Sequence, residues 1–136
     1  NAGLELLETA NLRSLRLWQR SFTDAAVGQV KKLSKLESLD LEGTMAGGVE
    51  LAQLKDLAKL RTLVLGSATD DNQMEAIRSF SALKELDLRG CRNLTDEGVL
   101  HLQGLTNLQT IWLPRQVTEQ GELRLLLKLP KCKICR

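Results

Sequence analysis

The sequence predicts an α/β solenoid: a right-handed coil with short parallel strands on its concave face and short helices on its convex face. Three observations predict it: an apolar pattern returning at a near-constant interval, a change of apolar spacing within each interval, and a scarcity of rings. The pattern L-x-x-L-x-x-L-x-L is filled by Leu33, Leu36, Leu39 and Leu41, by Leu57, Leu60, Leu63 and Leu65, by Phe80, Leu83, Leu86 and Leu88, and by Leu105, Leu108, Ile111 and Leu113. An earlier copy reads Leu12, Leu15, Leu17, and a truncated last copy reads Leu129, Cys132, Cys135. Starts at 33, 57, 80, 105 and 129 are separated by 24, 23, 25 and 24 residues. A fixed period of this length marks one supersecondary unit, stacked so that each covers its neighbour's apolar side.

Each period has two halves. Its L-x-L part alternates, as a strand with one buried face must. The remainder steps by three: Val27, Val30, Leu33; Leu51, Leu54, Leu57; Met74, Ile77, Phe80; Val99, Leu102, Leu105; and Leu123, Leu126, Leu129. That spacing suits one face of a short helix. Thr23-Asp24, Asp70-Asp71 and Thr95-Asp96 precede it with short oxygen side chains able to cap free N–H groups. The second period has Gly47-Gly48 there, which predicts the weakest helix start. Helices are wider than the strand spacing of about 4.8 Å, so the stack bends with its sheet inside.

The chain has 136 residues, 43% apolar and 26% charged, the size of one ordinary domain. With two Trp, two Phe and no Tyr, the core must be aliphatic and thin-layered. A net charge of +2, from 19 basic and 17 acidic residues, supplies no basic stripe for nucleic acid. No apolar run approaches the roughly 18 to 20 residues that span a bilayer. Three Cys do not describe a disulfide framework, and the compartment stays open.

The segment LKELDLRGCRNLTDEGVLHLQGL, from Leu83 to Leu105, carries the most specific motif. It resembles the leucine-rich repeat family, as does essentially the whole chain, and looks like the variant with Cys replacing the usual Asn after the strand, followed by a Thr-Asp-x-Gly helix start. Similar repeats are frequent in bacterial proteins, especially of planctomycete-like lineages, and in F-box-associated arrays. The tail Leu129-Pro-Lys-Cys-Lys-Ile134 is similar to a common ending of the bacterial group. The resemblance implies a binding module without naming what is bound. The Asn/Cys position is held by Arg20, Thr44, Ala68, Cys91 and Gln116, so no continuous Asn ladder is expected.

The reading for residues 1–136 is a single domain of about five repeats and a truncated C-terminal cap. Ala2-Gly3-Leu4 with Leu7 matches Glu97-Gly98-Val99 with Leu102, as though the chain opened inside a repeat of a longer protein. Pro130, Lys131, Lys133 and Arg136 read as a guard on the last strand edge. A monomer is expected.

Chemistry has few candidates. Cys132 and Cys135 form C-x-x-C, but zinc needs about two more ligands, and only Cys91 and His101 remain, in another repeat. Both tail cysteines fall on leucine positions, which favours burial over metal or redox work. Cys91 is expected buried at the turn from strand to helix. His101, the single histidine, is expected exposed on the convex side with no nucleophile beside it. Gly43 to Gly48 lacks the Gly-Lys-Ser/Thr ending of a phosphate loop. These patterns predict neither catalysis nor a metal nor a cofactor.

Alternation does name what the concave face displays. The central column is Arg16, Asp40, Val64, Asp87, Trp112; one flank is Trp18, Glu42, Gly66, Arg89, Pro114; the other is Ser14, Ser38, Thr62, Glu85, Thr110. Both tryptophans fall there, four strands and about 19 Å apart. Trp and Arg dominate protein-binding hot spots. The expected contact residues are Arg16, Trp18, Asp40 and Glu42 in one zone, Asp87, Arg89 and Trp112 in another with a cation–π contact, and Val64 and Gly66 as a shallow apolar gap between them. A mixed-charge face with aromatic anchors suits a protein or peptide. An unused structural spacer, a metal or redox module on the C-x-x-C, and carbohydrate recognition by Trp stacking are the alternatives.

Overall fold

The computed structural model describes residues 11–18 and 24–136. Six three-residue strands lie in chain order in one parallel sheet: β1 Ser14–Arg16, β2 Ser38–Asp40, β3 Thr62–Val64, β4 Glu85–Asp87, β5 Thr110–Trp112 and β6 Lys133–Cys135. Between them run α1 Asp24–Val30, α2 Gly48–Gln53, α3 Met74–Ile77, α4 Asp96–Val99 continued by a 3₁₀ turn at Leu100–Gly104, and α5 Glu119–Lys128. This is the α/β leucine-rich-repeat solenoid that the period predicts.

Such short strands are held by the same bonds in every coil. One carbonyl accepts from two successive amides of the next coil: Arg13 from Glu37 and Ser38, Glu37 from Arg61 and Thr62, Arg61 from Lys84 and Glu85. At the other end Leu17, Leu41, Leu65, Leu88 and Leu113 each donate to the following strand. The register puts Leu15, Leu39, Leu63, Leu86, Ile111 and Ile134 in one row. Leu39, Leu63, Leu86 and Ile111 are fully buried, joined by Leu41, Leu65 and Leu88 from below the sheet and by Val27, Leu51, Ile77 and Leu102 from the helical side. Layered aliphatic packing is therefore the core.

The period fails in two places. The sixth copy was expected to bury Cys132 and Cys135 together, but β6 pairs Ile134 with Ile111 and Cys135 with Trp112. One residue is missing between Cys132 and the strand, and a one-residue slip exchanges the faces of a strand. Cys132 is buried, while Cys135 sits partly exposed on the open column. In α5, Leu123 and Leu126 were expected inside. The structure turns Gly121, Leu125 and Leu129 inward at four-residue spacing and leaves Leu123 60% and Leu127 80% exposed. A ten-residue α-helix keeps residues four apart on one face, whereas the shorter helical pieces of earlier coils step by three.

The helix starts also differ from expectation. The start expected to be weakest, at Gly47-Gly48, carries a six-residue helix, because Glu50 reaches back to accept from the Gly47 amide at 2.9 Å. Thr23 lies outside the described residues. Asp71 does not cap its own helix. Its carboxylate accepts from the backbone amide of Thr95 at 2.7 Å and from the Thr95 hydroxyl, one coil further on. Asp96 does the same to Thr118, accepting from its amide at 2.8 Å and from its hydroxyl. The carboxylates lie where a side chain on Gly98 or Gly121 would be. Thr-Asp-x-Gly is thus a bracket between coils: the Asp ties down the next Thr, and the Gly leaves room for the Asp.

The Thr118 hydroxyl, with its amide, holds the Asp96 carboxyl below its ordinary value. Asp96→Ala should cost about 1–2 kcal/mol, and Gly121→Ala about 2 kcal/mol through crowding of that carboxylate. The double variant should cost clearly less than the sum, because the crowded atoms are gone. Urea unfolding of all three measures this. The depressed carboxyl stabilises the fold above the unfolded value of about 3.9, and that contribution fades as pH falls towards the folded value. Asp96→Asn should therefore be less stable at pH 7 and lose less on acidification.

Candidate functional site

The concave columns come from backbone pairing: Arg16, Asp40, Val64, Asp87, Trp112 and Cys135 follow one another across the sheet, and Ser14, Ser38, Thr62, Glu85, Thr110 and Lys133 form the row before them. The structure brings the expected residues into two Arg–Asp–Trp clusters. In the first, Arg16 Nε lies 2.7 Å from Asp40 Oδ2, and its guanidinium sits 4.8 Å from the centre of the Trp18 ring. In the second, Arg89 donates twice to Asp87, at 2.7 and 3.0 Å, and lies 5.7 Å from the Trp112 ring. The second stack matches the expected cation–π contact; the first is an addition.

Each aspartate is also fixed by its own strand, accepting the amide two residues on: Glu42 to Asp40 at 3.0 Å, Arg89 to Asp87 at 3.1 Å. The two clusters are alike in exposure as well. The arginine side chains are 60% and 57% exposed and the aspartates 16% and 17%, so each carboxylate holds its guanidinium up towards solvent. Burial raises the Asp87 carboxyl, but hydrogen bonds from the Arg89 side chain and amide, with its charge, outweigh this and leave it below the ordinary value. The hydrogen bond to Asp87 in turn holds Arg89 above its own. Exposed ion pairs and cation–π contacts stabilise a fold by only about 0.2–1 kcal/mol each. These groups are ordered rather than structurally essential.

Trp18 is 72% exposed and Trp112 partly so; neither indole enters the core. A hollow of about 100 Å³ opens beside Trp18, lined by Arg16, Leu17, Asp40, Glu42 and Gly43. The middle of the face departs from expectation. Gly66 is buried, because the Glu42 backbone carbonyl lies on the position its side chain would take. Of Val64 and Gly66, Val64 is the residue left at the surface, half-buried. Glu42 reaches beyond the Trp18 zone: its Oε1 lies over Gly90, two coils on, and its charge is felt by Arg89. The side chains missing at Gly66 and Gly90 let it cross.

Of the three cysteines, Cys91 and Cys132 are buried and Cys135 is partly exposed. Burial, with the Asp87 charge added, pushes the Cys91 thiol up to about 12, so it stays a protonated core group. Burial also raises Cys132. Cys91, Cys132 and Cys135 are free thiols. His101, expected exposed, is half-buried in the 3₁₀ turn beside an open depression with Arg78, Glu97 and Gln103. Among the described residues, no three His, Cys, Asp or Glu side chains converge as a metal site, and no helix is long and apolar enough to cross a membrane. Gln116 has a role that its sequence position did not announce. Gln116 Nε2 donates to the carbonyls of Cys91 and Leu94 at 2.6 and 2.8 Å, linking two coils where an Asn ladder would stand.

Coil, core and face are those of a leucine-rich-repeat solenoid. No family profile matches the chain. Over 90 residues, 62% of its length, it is 38% identical to leucine-rich repeat-containing protein 23 of Bos taurus, and that match spans 25% of the relative. Among solved structures it is similar to internalin C2 of Listeria monocytogenes, with a TM-score of 0.68 and 26% identity over 90% of this chain and 50% of that one. It is also similar in fold to a leucine-rich-repeat protein of Leptospira interrogans, with a TM-score of 0.64 and 22% identity over 98% and 39% of the two chains. The chain thus spans a quarter of the curated relative and half or less of these structural neighbours.

Proposed function

We propose that this chain is a non-catalytic protein-interaction module, and that it holds a protein or peptide on its concave sheet through Arg16, Trp18, Asp40, Glu42, Val64, Asp87, Arg89 and Trp112. The observation that carries the reading is the pair of ordered, outward-held Arg–Trp stacks on one sheet face. An exposed indole braced by a guanidinium has lost much of its freedom before a partner arrives, and binding then costs less ordering entropy. The face mixes both charge signs, which suits a polypeptide better than a polyanion. Cys91 at the post-strand position and the two Asp brackets support placing the repeats in the cysteine-containing bacterial subtype.

The test is affinity capture from the source organism followed by mass spectrometry, with the unaltered chain beside Trp18→Ala, Trp112→Ala and Asp87→Ala. At least one captured protein should fall about tenfold or more in each tryptophan variant, while circular dichroism shows the variants folded. Capture indifferent to all three substitutions would leave the face as the surface of a structural spacer.

A further inference from the structure

We infer that the occupant of this face is an extended polypeptide lying across the strands, with a lysine or arginine set between two flat or apolar side chains about six residues apart. The inference rests on the concave-face reading and adds the chemistry of the partner. Its first support is spacing. Trp18 follows β1 and Trp112 lies on β5, so the two indoles are four strand steps or about 19 Å apart across the sheet, and an extended chain advances about 3.3 Å per residue. An anchor on each indole therefore implies residues i and i+6. A helix, rising about 1.5 Å per residue, would need some 13 residues to cover the same span.

The second support is charge. Between the indoles the face carries four carboxylates, Asp40, Glu42, Glu85 and Asp87, against two guanidiniums, Arg16 and Arg89. The chain as a whole is +2, so negative charge is gathered on this side against the overall balance. Each guanidinium is already paired with an aspartate, and among the described residues no cation hydrogen-bonds the exposed Glu42 or Glu85. Glu42 extends over Gly90 into the middle of the face, and Val64 lies below as a low apolar floor. A cationic side chain with a long methylene stem meets both, laying its stem on Val64 and its charge beside the carboxylates.

The test is selection from a phage-displayed random dodecapeptide library on the purified chain, followed by affinity measurement of the enriched peptides as synthetic material. The expected result is a shared pattern of a basic residue between two aromatic or aliphatic residues about six apart. Binding should be lost in the Trp18→Ala/Trp112→Ala double variant. Glu42→Gln/Glu85→Gln should weaken it about fivefold and flatten its salt dependence. Peptides that need the tryptophans but carry no basic residue, or that ignore the glutamine substitutions, overturn this inference and leave the concave-face reading intact. A library that yields no binder, or only binders indifferent to the tryptophans, overturns both.

Discussion

Leu125→Ala should cost about 3 kcal/mol, whereas Leu123→Ala, two residues away in the same helix, should change stability by no more than about 0.5 kcal/mol. Leu125 is fully buried, packed on the inward side of α5 with Gly121 and Leu129. Removing it leaves a cavity in a layer that is one coil thick, with no second layer behind to collapse into it. Leu123 projects from the outer side of α5 with 60% of its surface already in water. In a stack stabilised by nearest-neighbour contacts, the Leu125 loss should appear first as fraying of the last coil. Hydrogen exchange of the β6 amides should quicken before the global urea midpoint moves. Equal costs for the two leucines would mean that α5 is rotated from the orientation described.

Gly66→Ala should be comparably severe, at about 3 kcal/mol. Its φ is not positive, so the requirement for glycine is one of space alone. The added methyl would meet the backbone carbonyl of Glu42, which belongs to the preceding coil and cannot swing aside as a side-chain end would. Relief requires coils two and three to part, which also disturbs the course of Glu42 across the binding face. Gly28→Ala is the control. Gly28 lies within α1 and nothing stands within 4 Å of the added methyl, so alanine should stabilise by about 0.5–1 kcal/mol through helix propensity alone. Thermal unfolding of the two variants side by side separates crowding from backbone entropy.

These contrasts mark the boundary between what pattern reveals and what packing decides. The leucine columns were legible because burial on a coil recurs with the chain's own period. Leu39, Leu63, Leu86 and Ile111 occupy equivalent surroundings, and strand alternation then fixes that Arg16, Asp40, Val64, Asp87 and Trp112 face the other way. The contact of Arg89 with Trp112 was within reach for the same reason, since a long side chain two residues past Asp87 can reach diagonally to the ring opposite Asp87 on the next strand. Where the chain breaks its period, this inference breaks too. One residue lost before β6 sends Cys135 to the open face, and one longer helix turns Leu123 and Leu126 out.

The sequence by itself determined the repeat, the sheet order and the membership of the concave columns, because each follows from a periodicity of side chains along one chain. Only the tertiary structure decided how coils are fastened to each other. The Asp71–Thr95 and Asp96–Thr118 brackets, the Gln116 link, the burial of Gly66 and the reach of Glu42 over Gly90 all join residues 22 to 48 positions apart. Such contacts depend on the offset between successive coils, a distance that no single repeat encodes.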